Sequence, residues 1–150
     1  MTAKKPFVTE RSSPARCSPD SVIGLLLDAS KRPGWQPEVI SAEGPVRLTT
    51  GDSVWGRARM LGFGVEGRSV ATTVSSTLYE EQVIVGVGMT VRYEVRPSDD
   101  GCLVVHHLES HLPTGFSGRV LSLLLRARLK RMQKTALARL VAQSEAGSIS

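Results

Sequence analysis

The chain has 150 residues, of which 41% are hydrophobic, 22% are charged and 5% are aromatic. This balance is typical of a globular protein and excludes a wholly disordered, collagenous or coiled-coil chain. A chain of this length buries ~68–70% of the surface that its unfolded form exposes, so folding needs no disulfide or metal. We therefore expect one domain over residues 1–150, with a core at about 6–144 and short flexible termini.

The sequence lacks the usual signals for export or membrane insertion. No apolar run approaches the ~20 residues of a membrane span. Lys4 and Lys5 are not followed by the apolar segment of a secretory signal. Cys17 and Cys102 lie far apart and outside any C-x-x-C motif, which favours two reduced thiols. These features predict a cytoplasmic protein.

The net charge of +5 is unevenly distributed along the chain. The segment from Leu112 to Ser144 contains seven basic residues and no acidic residue, whereas the rest has 12 basic and 14 acidic residues. Such a segment suits an anionic membrane surface or an acidic protein partner, although a solvated helix face would look the same. Few aromatic residues and no known motif argue against nucleic-acid binding.

The first third of the chain predicts one strand and then helical structure. A strand is expected at Pro6–Arg11, and Ser18 followed by Pro19 is typical of a helix start. This helix should end near Ser30, and its apolar face consists of Val22, Ile23, Leu26 and Leu27. Residues 31–37 form either a turn or a second short helix that presents Trp35.

The middle of the chain alternates between apolar and polar residues, as strands do. In Met89–Arg96 the odd positions Met89, Val91, Tyr93 and Val95 predict a buried face. The other predicted strands are Glu38–Leu48, Ser53–Met60, Phe63–Val74, Leu78–Val87 and Cys102–His111. The connections after the second strand are too short for crossover helices, so the seven strands should form an antiparallel sheet. Glycines within the strands indicate that this sheet is curved.

A long C-terminal helix has the clearest periodicity. Its predicted buried stripe is Leu121, Leu125, Leu129, Met132, Ala136 and Leu140. Ser117 or Thr114 would cap its start and Gly147 would follow its end. Laid across a curved sheet, this helix would enclose a cavity, which we expect to have the ~300–1,000 Å³ of ligand sites.

Five short segments of the sequence, together with the order in which they occur, resemble the START-like, or helix-grip (SRPBCC), superfamily. The resemblance is in particular to its bacterial polyketide cyclase/dehydrase and lipid-transport branch. The segments are Ser18-Pro-Asp-Ser-Val-Ile, Arg32-Pro-Gly-Trp-Gln-Pro-Glu-Val39, Gly51-Asp-Ser-Val-Trp-Gly56, Met89-Thr-Val-Arg-Tyr-Glu-Val95 and the Gly101 turn before the last strand. The resemblance covers roughly residues 6–144. It implies an α+β helix-grip fold, in which a curved seven-stranded antiparallel sheet wraps around the C-terminal helix and an apolar pocket. Members bind lipids, sterols or polyketides, and some cyclise or dehydrate them.

Three histidines, His106, His107 and His111, are the first candidates for chemistry. In an extended strand His106 faces inward with Leu108, while His107 and His111 face solvent, so we expect no metal site. His106 and Tyr93 are the candidate catalytic residues, each as a source of proton transfer, although a structural role is the commoner explanation for side chains of both kinds.

The candidate ligand-binding residues are the large side chains expected near the pocket: Trp35, Met60, Phe63, Met89, Val91, Tyr93, His106, Phe116, Leu121 and Leu125. Ser117 lacks the spacing of a serine hydrolase and the glycine strings lack that of a nucleotide site, so we expect no cofactor. The first hypothesis is a non-enzymatic protein that binds or transports a small lipid-like or polyketide-like ligand. The alternatives are a polyketide aromatase/cyclase and a membrane-surface or protein-interaction module that uses the basic helix. The oligomeric state and the ligand cannot be read from the sequence.

Overall fold

The structure is a computed structural model that describes residues 6–60, 62–85, 88–111 and 116–148. Within these residues seven strands form one sheet, accompanied by three α-helices and a short 3₁₀ helix. The elements are β1 (Phe7–Ala15), α1 (Pro19–Leu27), the 3₁₀ helix (Ala29–Lys31), α2 (Arg32–Trp35), β2 (Val39–Glu43), β3 (Ser53–Met60), β4 (Phe63–Val74), β5 (Leu78–Ile84), β6 (Gly88–Ser98), β7 (Gly101–Ser110) and α3 (Phe116–Ser148).

The sheet is antiparallel throughout, with the strand order β1-β7-β6-β5-β4-β3-β2. The register shifts between Val39 and Ser41 in β2, and again in β4, so both strands carry a bulge that bends the sheet. Gly56 permits the close approach of β3 to β2, because a Cβ atom there would lie 2.2 Å from the carbonyl oxygen of Ser41. The predicted α+β helix-grip fold is thereby confirmed.

Two of the predicted strands, β3 and β4, have the predicted boundaries, whereas the prediction for β2 was too long. The chain leaves the sheet after Glu43 because residues 44–48 bond to the first helical region instead. The amide of Ala29 donates to Pro45 O, and that of Leu48 donates to Leu27 O, which buries Leu48 fully. An apolar residue here packs on α1 rather than pairing with a strand.

The two short helices fill one end of the core. α1 starts at Ser18 and Pro19, as predicted, but the Ser18 hydroxyl lies 3.3 Å from the Ser21 hydroxyl instead of capping the helix. The predicted apolar face of α1 is buried in full. Residues 31–37, for which the sequence allowed either a turn or a short helix, contain the helix α2. Trp35 of α2 is buried, and its ring meets that of Tyr93 edge-on at a centroid distance of 5.8 Å.

The long helix α3 packs on the sheet through most, but not all, of the predicted stripe. Leu125, Leu129, Ala136 and Leu140 are buried and Met132 is partly buried against the core. The prediction for Leu121 was wrong: this side chain is 39% exposed, because the core that buries Leu125 and Leu129 does not cover it.

The predicted ends of this helix also need correction. Ser117 and Gly147 both lie inside α3, so neither marks a terminus, and Thr114 lies outside the described residues.

Candidate functional site

The concave face of the sheet and α3 enclose a cavity of about 130 Å³. This volume is smaller than the predicted ~300–1,000 Å³. Most of the wall is apolar and includes Val83, Val85, Met89, Val91, Leu108 and Leu129. The inward faces of β5, β6 and β7 supply Val83, Met89, Val91 and Leu108 by strand alternation, Val85 follows the end of β5, and α3 contributes Leu129 from the opposite side.

A buried ion pair forms one polar part of the wall. Arg32 of α2 donates from Nη1 to Glu81 Oε1 at 3.0 Å and from Nη2 to Glu81 Oε2 at 2.7 Å. The Tyr79 hydroxyl accepts from Arg32 Nη2 at 2.7 Å and donates to Glu81 Oε2 at 2.7 Å. Both charged side chains are at least 95% buried and both line the cavity. The pair is therefore a charged but internally neutralised patch in an apolar wall.

The electrostatics of this pair follow from burial and mutual contact. Burial alone would favour the neutral form of Glu81, but the charge of Arg32 and hydrogen bonds from Arg32, Tyr79 and Ser69 outweigh it and lower the pKa. Burial likewise opposes the charge of Arg32, and Glu81 reverses that effect and raises its pKa. Both groups stay ionised at neutral pH. The buried Nε of Arg32 has no hydrogen-bond partner among the described residues.

The second polar part consists of His106, Tyr93 and Gln133. The Gln133 amide nitrogen lies 2.7 Å from His106 Nδ1 and 3.2 Å from the carbonyl oxygens of Thr9 and His106. Two carbonyl contacts identify this atom as the donor nitrogen, so Nδ1 accepts and the proton of the neutral imidazole is on Nε2. Burial lowers the pKa of His106 to about 4, which keeps the ring neutral at pH 7.

Tyr93 stacks obliquely on this imidazole, with ring centroids 4.5 Å apart. Burial, followed by the charge of Glu81, raises the pKa of the Tyr93 hydroxyl, so it remains protonated. In the described part of the chain neither this hydroxyl nor His106 Nε2 has a hydrogen-bond partner. Two donors at the cavity wall are therefore free to meet an acceptor oxygen.

The structure brings together four of the ten predicted ligand-binding residues. Met89, Val91, Tyr93 and His106 line the cavity. Trp35 and Leu125 are buried in the core outside the cavity wall, whereas Phe63 and Leu121 are exposed. The side chains of Met60 and Phe116 lie outside the described residues.

Sequence reasoning missed Arg32, Glu81 and Gln133. A signal for Glu81 exists in the alternation of β5, where Tyr79, Glu81 and Val83 share one face and place a carboxylate among apolar side chains. Gln133 follows Met132 within the stripe of α3 and sits on its buried side. Nothing in the sequence around Arg32 distinguishes it from a solvent-exposed residue of a turn.

The described residues contain no cluster of three or more His, Cys, Asp or Glu side chains suited to a metal ion. His107 faces outward and its Nδ1 lies 3.2 Å from Glu10 Oε2. Both cysteines are free and buried. In the same described ranges, none of the helices combines the length and hydropathy that crossing a membrane requires.

Three solved structures illustrate the fold similarity. The Zhui aromatase/cyclase from a Streptomyces strain has a TM-score of 0.81 at 13% identity, covering 93% of this chain and 94% of its own. A START superfamily protein from Mycobacterium smegmatis has a TM-score of 0.69 at 15% identity, covering 91% and 97%. A protein from Thermus thermophilus has a TM-score of 0.75 at 18% identity, covering 95% and 99%. These identities establish a shared fold alone.

Sequence comparison identifies the family. No curated protein matches the chain. Residues 6–145 match the family described as polyketide cyclase / dehydrase and lipid transport. This match spans nearly all of the sequence. The cavity between sheet and helix is what a hydrophobic ligand-binding fold requires. The chain therefore belongs to the polyketide cyclase/dehydrase and lipid transport family.

Proposed function

We propose that the protein binds a small, largely apolar ligand, lipid-like or polyketide-like, that carries at least one acceptor oxygen. The observation that supports this proposal is that the cavity wall is mostly apolar but carries a few polar groups. Apolar side chains from the sheet and α3 form most of it, while Tyr93 and His106 present two unpaired donors. An apolar body gains free energy from leaving water, and an acceptor oxygen satisfies donors that would otherwise stay unpaired in a buried site.

The charge balance of the site favours a neutral polar group on this ligand. Arg32 is already neutralised by Glu81 through two hydrogen bonds, so it has no full positive charge to offer. A carbonyl or hydroxyl oxygen therefore fits the donors better than a carboxylate or phosphate, whose dehydration would be costly here. This restricts the ligand class to ketones, enols, phenols or alcohols with an apolar skeleton.

A cavity-filling pair of variants tests the proposal. Ala136 lines the cavity and Ala127 is exposed on the same helix. We expect Ala136→Leu to weaken binding of an environment-sensitive naphthalene dye by about tenfold or more, since the added side chain occupies ligand space, while Ala127→Leu leaves it unchanged. Native mass spectrometry of protein purified from its source should show a small apolar molecule travelling with the chain. Equal dye binding by both variants would place the ligand elsewhere.

The second candidate function is a polyketide aromatase/cyclase in the same cavity. It is favoured by the convergence of Tyr93 and His106, whose rings touch and whose donors are both free. In such a ring closure an enol carbon of the ligand attacks a carbonyl carbon of the same chain, the Tyr93 hydroxyl protonates the carbonyl oxygen, and the enol O–H returns a proton to Tyr93, while His106 Nε2–H donates a hydrogen bond to the same oxygen without losing its proton. The raised pKa of Tyr93 suits a hydrogen-bond donor rather than a base.

Substitution of Tyr93 by Phe separates the two functions, because it removes the hydroxyl and keeps the ring. A binding protein should retain dye affinity with only a modest loss. A cyclase should retain that affinity and lose turnover of a poly-β-ketone substrate by about 10²–10⁴-fold. Absence of any turnover by the unmodified protein would leave the binding function alone. A cytoplasmic location, as expected from the sequence, remains a prediction.

A further inference from the structure

The start of α3 exposes an unusual number of apolar side chains. Val120, Leu121, Leu123 and Leu124 are 39–67% exposed, within a stretch of five residues. We call these four residues the apolar tip. Leu125 and Leu129 form the buried side of the helix nearby, so the tip is apolar on the sides that face away from the core. Contiguous exposed apolar surface of this kind marks an interaction site.

The sheet topology brings a further exposed aromatic ring to the same end of the molecule. β7 ends at Ser110, which pairs with Phe7 at the start of β1 and with Met89 near the start of β6. The β3–β4 hairpin also turns at this end, because β3, β5 and β7 all run towards it. Phe63, the first residue of β4, is 73% exposed there. A helix tip and a hairpin tip thus expose apolar side chains at one end.

Basic side chains follow the apolar tip along α3. Arg126, Lys130, Arg131 and Lys134 are exposed, and we call them the basic band. Within the described residues none of the four forms an ion pair with a carboxylate. Arg126 instead lies over the ring of Phe7, 5.4 Å from its centroid, which fixes the band next to the start of β1.

The carboxylates of the neighbouring strands do not neutralise the basic band. Glu10 of β1 and Glu109 of β7 alternate with the inward-facing Thr9 and Leu108, so they lie on the outer face of the sheet, away from α3. Glu38 does contact α3, but both of its carboxylate oxygens accept from Arg128 Nη2, at 2.7 and 2.8 Å. The α3 side of this end is therefore apolar and positively charged.

We propose that this end of the protein docks onto an anionic membrane surface, with the apolar tip in the lipid interface and the basic band against the headgroups. Leu124 and Lys130 are separated by about 9 Å along the helix axis at 1.5 Å per residue. An apolar helix surface at a bilayer enters the boundary between headgroups and acyl chains by ~5–10 Å, so the band would lie at headgroup level. The proposal is independent of which ligand occupies the cavity.

The same charges disfavour a second copy of the chain as the partner. A two-fold symmetric dimer built on the apolar tip would place two basic bands close together, with no carboxylate among residues 116–144 of either α3 to separate them. Anionic phospholipids instead supply both an apolar layer and negative charge. Charge complementarity therefore selects the membrane as the partner.

Vesicle flotation tests this docking surface. The full chain should bind vesicles of phosphatidylcholine mixed with phosphatidylserine and not bind phosphatidylcholine alone, and added salt should weaken the binding. Leu123→Ser combined with Leu124→Ser should lower the affinity by about tenfold or more, since two inserted side chains are lost. Lys130→Gln should lower it by about fivefold.

Matched controls lie at the other end of the molecule. Val46→Ser replaces an apolar residue that is 75% exposed in the β2–β3 connection, and Lys31→Gln removes an exposed charge beside α2. Neither should change vesicle binding. Should the Leu123/Leu124 variant misfold, a fluorophore on Leu124→Cys should shift to the blue on vesicle addition, while one on Val46→Cys should not. No binding to anionic vesicles at low salt, or a dimer in light scattering that the Leu123/Leu124 variant dissociates, would overturn the proposal.

Discussion

Replacing Glu81 by Gln probes the polar part of the cavity wall most directly. The substitution keeps the shape of the side chain and removes its charge. In the native protein both carboxylate oxygens accept from Arg32, and one also accepts from Tyr79. The new amide would retain one acceptor and turn an NH₂ group towards the donors of Arg32 or Tyr79. A buried guanidinium would then lack a counter-charge.

The expected magnitude follows from burial. Removing one partner of a buried ion pair costs about 3–5 kcal/mol, and the acceptor that the amide retains places this variant towards the lower value. For a protein of this size each 1 kcal/mol shifts the melting temperature by about 2–4 °C, so we expect a decrease of about 6–20 °C. Because the folded state lowers the pKa of Glu81, its ionic contribution is complete above the unfolded pKa of ~4.3 and is lost as the pH falls through the folded value. The difference in stability between the Glu81→Gln variant and the native protein should therefore narrow in acid.

The adjacent residue of β5 supplies the control. Glu80 pairs with Arg92 at 3.0 Å, and the Arg92 side chain is about half exposed to solvent. Glu80→Gln should cost less than about 1 kcal/mol, as exposed ion pairs do. The double variant Arg32→Met with Glu81→Leu should recover much of the loss, since apolar residues of similar volume replace buried pairs well. Thermal unfolding followed by circular dichroism measures all three. Equal melting temperatures for the Glu80 and Glu81 variants would refute the reasoning.

Three further perturbations test helix packing, histidine charge and access to the cavity. Leu129→Asp should lower the free energy of unfolding by several kcal/mol in denaturant titration, because Leu129 is fully buried, whereas Leu123→Asp on the exposed side should have little effect. The folded state keeps His106 neutral down to about pH 4, so as the pH falls from ~6.5 the unfolded chain takes up protons first and stability declines by about 3 kcal/mol. His106→Gln should flatten this slope between about pH 6.5 and 4, while His107→Gln should preserve it. Glu38→Gln should speed dye dissociation measured by stopped flow, since it weakens the partly buried ion pair between Arg128 of α3 and Glu38 at the cavity rim; an unchanged rate would place the route of entry elsewhere.

Periodicity alone determined most of the architecture. The alternation in Met89–Arg96 identified one buried face, and all four of its inward residues are buried. The short spacing between strands dictated antiparallel pairing, because no crossover helix fits there. The same alternation placed His106 inward and His107 outward, so the sequence identified two of the residues at the polar end of the cavity, Tyr93 and His106.

Tertiary structure decided what local pattern does not encode. Leu121 continues the stripe of α3 in sequence, yet it is exposed because the core that buries Leu125 and Leu129 does not cover it. The partnership of Arg32 with Glu81 joins residues 49 positions apart, and only the tertiary fold brings the Arg32 side chain of α2 within hydrogen-bond distance of Glu81 on β5. Helical and strand periods report which side of an element is apolar. They carry no information on how far the packing partner of that side extends, or on which charged residue from a distant part of the chain it meets. The first determines the exposed apolar tip, and the second determines the polar part of the cavity wall.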